Sequence, residues 1–169
     1  TLIPGTYTIY VIGGGGAGGS EYNASRACAG GGGGGLTVKT ITLSDNLNVT
    51  ITVGDGGKAV AHAKGEDGET SSVIGTGLNL QSTGGEGGKN NFSANTNPSP
   101  NQDASGGIGS GGDINGTGGF GGSRYQTSDG YNLRKPGGDG INGAPGGGGA
   151  GSPGDNFPVY GYTGAKGGN

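Results

Sequence analysis

The chain has 169 residues and a formal net charge of −3, and 49 of its residues are glycine while charged residues make up only 12% and aromatics 6%. Leu, Ile, Val and Phe are too scarce to close an ordinary side-chain core, and the net charge is too small to hold a disordered chain open by self-repulsion. A pI of 4.9 with nine scattered basic residues gives no surface that could track phosphates, so nucleic acid is not an expected partner.

The first element expected is a strand over Thr6–Ile12, a β-branched and aromatic run that follows the turn residues Pro4 and Gly5. Leu36–Leu43 reads as a second strand. Leu47, Val49, Ile51 and Val53 alternate with polar residues, a period of two that puts four aliphatics on one face. Ser44-Asp45-Asn46 suits a tight turn, so strands 36–43 and 47–53 are expected to form a hairpin. Shorter strands follow at Glu69–Ile74 and Leu78–Thr83, joined by Gly75-Thr76-Gly77. No window carries a helical apolar stripe.

Between and after the strands lie glycine islands at 13–19, 30–35, 84–88, 106–112, 116–122, 137–149 and 164–168. Glycine recurs at every third position through Gly137, Gly140, Gly143, Gly146 and Gly149, and again at Gly161, Gly164 and Gly167. Three residues per turn is the period of an extended left-handed polyproline II or polyglycine II helix, which has no internal hydrogen bonds. Such helices are stable only when neighbours supply partners for each N–H and C=O, and close backbone packing demands residues without Cβ. The islands are therefore expected to be the core, with Gly143 and Gly146 packed too tightly to accept a side chain. Collagen is the competing reading, but its triplet must run unbroken and proline-rich, and here it breaks every few turns with seven prolines in all.

The fold expected is thus β-rich and otherwise irregular, with no significant α-helix. N-terminal antiparallel strands and a hairpin lead into a packed bundle of polyglycine II helices with loops. One glycine-rich domain over 1–169 is expected, divided into a strand-rich lead at 1–83 and a polyglycine II bundle at 84–169.

The run IPGTYTIYVIGGGGAGG, followed by GGGGGGLTVKTITL, LNVTITVGDGG and LNLQSTGGEGG, resembles the glycine-rich domains at the ends of bacteriophage tail-fibre proteins. It is also similar to the polyglycine-rich recognition domain of T-even-type tail-fibre adhesins. The resemblance spans nearly the whole chain and implies packed polyglycine II helices whose intervening loops contact a host receptor. It implies a host cell-surface protein or glycan as partner, and an extracellular or virion-surface location. Nothing ahead of Thr1 supplies the separate N-terminal segment by which those adhesins dock on the fibre, so a structural or filament-forming surface protein stays open as the alternative.

Several motifs suggest chemistry. Gly13-Gly14-Gly15-Gly16-Ala17-Gly18 follows a strand, as a dinucleotide-binding loop would. The residues after it lack an apolar helical stripe, however, and Lys39 stands where an acid should grip the ribose. GGDGINGAP at 137–145 partly matches a calcium-binding nonapeptide, but as a single copy with Asn142 in place of Asp. His62 is the only histidine and Cys28 the only cysteine, and acidic residues occur singly, so no catalytic triad, cysteine cage or glycosidase-like carboxylate pair is legible. No apolar run nears the roughly 20 residues of a membrane span. The chain is therefore read as a non-enzyme with no cofactor, no metal and no membrane insertion. Four glycosylation sequons, at Asn23, Asn48, Asn91 and Asn115, are about what chance provides.

Recognition then falls to the segments between islands. Arg124, Tyr125, Tyr131 and Arg134 cluster in one of them, Phe157, Tyr160 and Tyr162 in another, and Phe92 lies in a third. Aromatics offer rigid contact area at low entropy cost and Arg offers forked hydrogen bonds, so these are the candidate receptor-binding residues. The competing reading is that the aromatics lie flat on the glycine helices and cap them. A fibre, or further copies of the chain, is the other expected partner.

Overall fold

A computed structural model describes residues 1–20, 28–90, 103–126, 132–134, 136–148 and 167–169. Among these the chain is β-rich, antiparallel throughout its sheets and without a helix. Strand β1 (Gly5–Ile12) pairs along its full length with β2 (Leu36–Leu43), from Gly5 opposite Leu43 to Ile12 opposite Leu36. A second sheet holds β3 (Val49–Thr52), β4 (Ser71–Gly75), β5 (Leu78–Ser82) and the short β6 (Gly109–Ser110) in that order. Strand β7 (Ile114–Gly116) returns to complete the first sheet beside β2. Strands β8 (Arg124–Gln126) and β9 (Asn132–Arg134) form a separate pair.

The two larger sheets pack face to face. Val11, Val73, Leu78 and Leu80 are buried between them, with Ile9, Ile41, Leu47 and Val49 packed alongside. The period-two pattern explains the choice: Tyr7, Ile9 and Val11 alternate inward along β1 while Thr6, Thr8 and Tyr10 face out. Two hydroxyls are buried in the same interface. Thr37 Oγ1 donates to the Gln81 carbonyl at 2.7 Å and accepts from the Ser110 N–H at 2.8 Å. Ser82 Oγ lies 2.8 Å from the Val11 carbonyl and 2.9 Å from Thr37 Oγ1.

The expected hairpin between strands 36–43 and 47–53 does not form. Strand β1 covers one edge of β2; the other is taken by β7 at Leu36–Val38 and, just beyond, by Asp113, whose carboxylate accepts the Thr40 N–H, and after Leu43 the chain leaves the sheet. Leu47 bridges to Leu2, and β3 pairs with β4 in the other sheet. The four aliphatics of this stretch also divide. Leu47 and Val49 join the core, whereas Ile51 and Val53 are 63% and 81% exposed. The true hairpin is β4–β5, turning at Thr76 and Gly77, where Gly77 takes a φ of +74°.

The glycine segments extend the two sheets into a laterally bonded bundle. Gly13, Gly16 and Gly19 donate to the carbonyls of Gly35, Gly32 and Ala29, at 2.9–3.0 Å. Their neighbours one place on, Gly14, Ala17 and Ser20, donate in the same way to Glu69, Glu66 and Ala63. Each direction is thus served by every third residue, the spacing that the glycine recurrence calls for. The contacts leave no room for side chains: the Gly16 carbonyl occupies the place of a Cβ on Gly31, and the Gly32 carbonyl that of a Cβ on Gly85. Bonds such as Gly35 N–H to the Thr83 carbonyl and Gly32 N–H to the Glu86 carbonyl join segments on either side of residue 83.

In the tract 137–148, residues 141–143 make a turn rather than continue the period. Asn142 and Gly143 have φ of 54° and 80°, and Gly147 bonds back to Gly138. Gly146 meets the expectation of close packing, since a Cβ there would meet the Gly168 carbonyl group. Gly143 does not: a Cβ would find only Leu36 Cδ2, at 3.6 Å. Glycine serves there because the backbone is left-handed. The turn seats Ala144 against Leu36 and Val38 in a second, smaller cluster.

Candidate binding surfaces

The architecture of the bundle centres on segment 29–35. Its residues are buried, and hydrogen bonds tie it to five neighbouring segments. Gly13, Gly16 and Gly19 approach it from segment 13–20. Gly35, Gly32 and Ala29 donate to Thr83, Glu86 and Lys89. Gly107 donates to the Gly33 carbonyl, Gly33 and Gly30 donate to Gly119 and Gly122, and Gly148 donates to the Gly31 carbonyl.

The five neighbours are also bonded in series. Gly85 donates to Gly14, Glu86 to Ser105, Gly118 to Gly107 and Gly119 to Pro145. The series opens between segments 144–148 and 13–20, where no hydrogen bond joins the two among the described residues. In that gap lies a groove of about 430 Å³, walled by Gly15 and Gly18 on one side, Gly31 and Gly34 at its base, and Pro145 and Gly146 on the other.

Charged side chains brace the outside of the bundle by binding backbone. Asp67 Oδ1 accepts from the Gly87 N–H at 2.7 Å and from Lys64 Nζ at 2.8 Å. The Gly87 hydrogen bond, and then Lys64, hold this carboxyl below the usual range, while its partner Lys64 is raised mainly by the hydrogen bond to Asp67. At Glu86 partial burial disfavours the charge, but the Ser105 N–H together with Lys89 and Lys64 outweighs it and the pKa is lowered. Asp113 receives the Thr40 N–H at 2.9 Å and Lys39 Nζ at 3.0 Å, and both lower its pKa. Lys39 is thus engaged at the sheet edge.

Of the candidate receptor-binding residues, Arg124 and Tyr125 lie in β8 and Arg134 in β9, where the register sets Arg124 opposite Arg134 and Tyr125 opposite Leu133. The sequence offered no strand signal for this pair, which interrupts a polar stretch expected to be loop. Phe92, Tyr131, Phe157, Tyr160 and Tyr162 lie outside the described residues. In the nonapeptide-like stretch, Asp139 Oδ1 accepts the Asn169 N–H at 2.8 Å and Asn142 Nδ2 donates to the Asn115 carbonyl at 3.1 Å, so both side chains tie segments together. His62 sits at a turn with φ of 58° and its N–H donates to Ser20 Oγ. The dinucleotide-like run 13–18 is extended and hydrogen-bonded on two sides rather than opening a helix.

Sequence reasoning missed two surfaces. The first is the glycine groove, which no side chain advertises. The second is the outer face of the β1–β2–β7 sheet, where Tyr10, Ile12 and Ile114 remain 67%, 51% and 48% exposed around the buried Val38. The alternation in β1 does place Tyr10 and Ile12 opposite Val11, which was the available signal.

No curated protein matches the sequence. The family model for the glycine-rich domain matches residues 4–169, so the chain belongs to the glycine-rich domain family.

Proposed function

We propose that this chain is a non-catalytic recognition module: a receptor-binding adhesin at the tip of a phage tail fibre, displayed on the virion surface. The observation that supports it best is the division between backbone and side chains. Glycine segments bond backbone to backbone through the bundle, which leaves specific chemistry to the segments between them. In one such segment two like-charged residues, Arg124 and Arg134, occupy directly opposite register positions. Like charges so placed are unfavourable by themselves, and an anionic partner reverses that cost through charge-assisted hydrogen bonds. The partner class is therefore a host cell-surface protein or glycan carrying carboxylate, phosphate or sulfate groups, bound without turnover.

Replacing Arg124 and Arg134 together by Ala tests the reading. Binding to host cells or isolated envelope should fall at least about tenfold, or roughly 1.4 kcal/mol, with melting nearly unchanged. Retained adsorption with retained stability removes this hairpin from the recognition surface and moves the site to the aromatic segment of Phe157, Tyr160 and Tyr162. Host-cell adsorption that is absent in the parent protein, together with concentration-dependent polymers by negative stain, favours the filament-forming reading.

A further inference from the structure

The groove between segments 13–20 and 144–148 has a character that the rest of the bundle defines. Around the central segment 29–35 five extended neighbours close most of a ring, and the groove is the one remaining position. Within each segment the N–H groups divide into three sets by position, each set aimed at a different neighbour. Gly13, Gly16 and Gly19 form one set and Gly14, Ala17 and Ser20 the second, all with backbone acceptors. The third set, Gly15 and Gly18, has none among the described residues. On segment 29–35, Ala29, Gly32 and Gly35 donate, as do Gly30 and Gly33, whereas the N–H groups of Gly31 and Gly34 have no backbone acceptor among the described residues although both residues are buried. The N–H of Gly146 on the opposite wall, a half-buried residue, also has no backbone acceptor among the described residues. All five residues are among those that line the groove.

A buried backbone donor without an acceptor is rare and costs about as much as a lost hydrogen bond. Gly31 and Gly34 are such donors, and together with the exposed Gly15 and Gly18 on the facing wall they border one cavity and repeat every third residue along it, about 9 Å apart at about 3.1 Å of rise per residue. That repeat matches the carbonyls on one face of an extended three-residue-per-turn chain. The Gly16 and Gly146 carbonyls, which accept no backbone N–H among the described residues, line the same walls and would receive its donors. A wall of bare backbone also excludes side chains from the closest approach, as it does between the internal segments.

We propose that the groove is a docking site for an extended glycine-rich segment of a partner polypeptide, which completes the ring as its sixth member through backbone hydrogen bonds. This concerns attachment rather than receptor recognition, and stands whether or not Arg124 and Arg134 bind a receptor. An unrelated small ligand fits poorly, because the donors are spread along the groove at chain-repeat spacing instead of meeting at a point.

The probe is a lysine-flanked nonaglycine peptide, titrated into the labelled intact protein and followed by backbone amide NMR. A matched peptide with alanine in place of every glycine is the control. Shifts should concentrate at Gly15, Gly18, Gly31, Gly34 and Gly146, and the alanine peptide should bind at least tenfold more weakly. A Cβ at Gly15 or Gly18 would find only the Gly32 or Ala29 carbonyl, each at 3.8 Å, so the double variant Gly15→Leu, Gly18→Leu fills the groove without disturbing the fold. It should melt near the parent and lose peptide binding at least tenfold. The proposal is overturned by an absence of shifts at millimolar peptide, by equal binding of the alanine peptide, or by undiminished binding to the leucine variant. Sedimentation that shows the parent self-associating and the leucine variant monomeric also overturns it, assigning the groove to a second copy of the chain.

Discussion

The carbonyl oxygen of Gly16 stands where a Cβ on Gly31 would be, and the N–H of Gly16 donates at 2.9 Å to Gly32, the next residue along. The same contact that supplies the hydrogen bond therefore forbids the side chain. Gly31→Ala must push two backbones apart inside a buried bundle, and should cost about 3 kcal/mol or more, at the upper end of overpacking effects. Gly143→Ala meets no such wall and bears only left-handed strain, about 1 kcal/mol. Thermal melting of both variants checks the contrast, and equal losses would remove the packing explanation.

Thr37 is fully buried and its hydroxyl both donates to the Gln81 carbonyl and accepts the Ser110 N–H. Thr37→Val keeps the shape and orphans both, so it should destabilise by about 2 kcal/mol, whereas Thr37→Ser should cost less because the hydroxyl survives. Denaturant titration of the two variants measures the difference, which a purely steric role for Thr37 would reverse.

Acid should weaken the molecule in a defined window. Asp67, Glu86 and Asp113 all have folded pKa values below their ordinary ones. A depressed carboxylate contributes stability that is complete above its unfolded pKa, near about 4, and is lost as pH falls through the lower folded value. The melting temperature should therefore be flat from about pH 7 to 5 and decline below about pH 4. Asp67→Asn should lower stability at neutral pH by no more than about 1 kcal/mol, since its side chain is 60% exposed, and should flatten the acid decline. An acid profile identical to the parent's would mean that the Gly87 contact carries no charge-dependent energy.

Amide exchange should follow position modulo three. Gly16, Gly32 and Gly33 donate to backbone carbonyls and should exchange slowly, while Gly15 and Gly18, adjacent in sequence but facing the groove, should exchange fast. Uniform protection across Gly13–Gly18 would show that the third set of donors is engaged.

The sequence announced the strands better than their partners. The limits of β2 and the β4–β5 turn at Gly77 followed from β-branched runs and glycine punctuation, because those are local properties. The hairpin expected between 36–43 and 47–53 failed at the second edge of β2, where residues 113–116, from far along the chain, pair with Leu36–Val38 and cap the Thr40 N–H. The glycine segments at 54–58 and 63–69 went unread for a different reason. Gly54 and Gly57, and Gly65 and Gly68, keep the three-residue spacing, but Asp, Lys and Glu between them masked it as loop chemistry. The groove was illegible in principle, since it is an absence in a lattice of identical residues.

The central segment 29–35 sits in a ring whose members enter from residues 13–20 through to 144–148. Its backbone polar groups cannot all be satisfied until a partner more than a hundred residues later has been synthesised, and glycine gives up more freedom on ordering than any other residue. A ribosome-bound chain ending before residue 144 thus presents a six-glycine run, Gly30–Gly35, that has been made but not enclosed. Closure at such long range belongs to the slow class of contact formation. The last segments to emerge then act as a latch, so that the order in which the chain leaves the ribosome, rather than the strength of any one contact, decides when the bundle becomes solid.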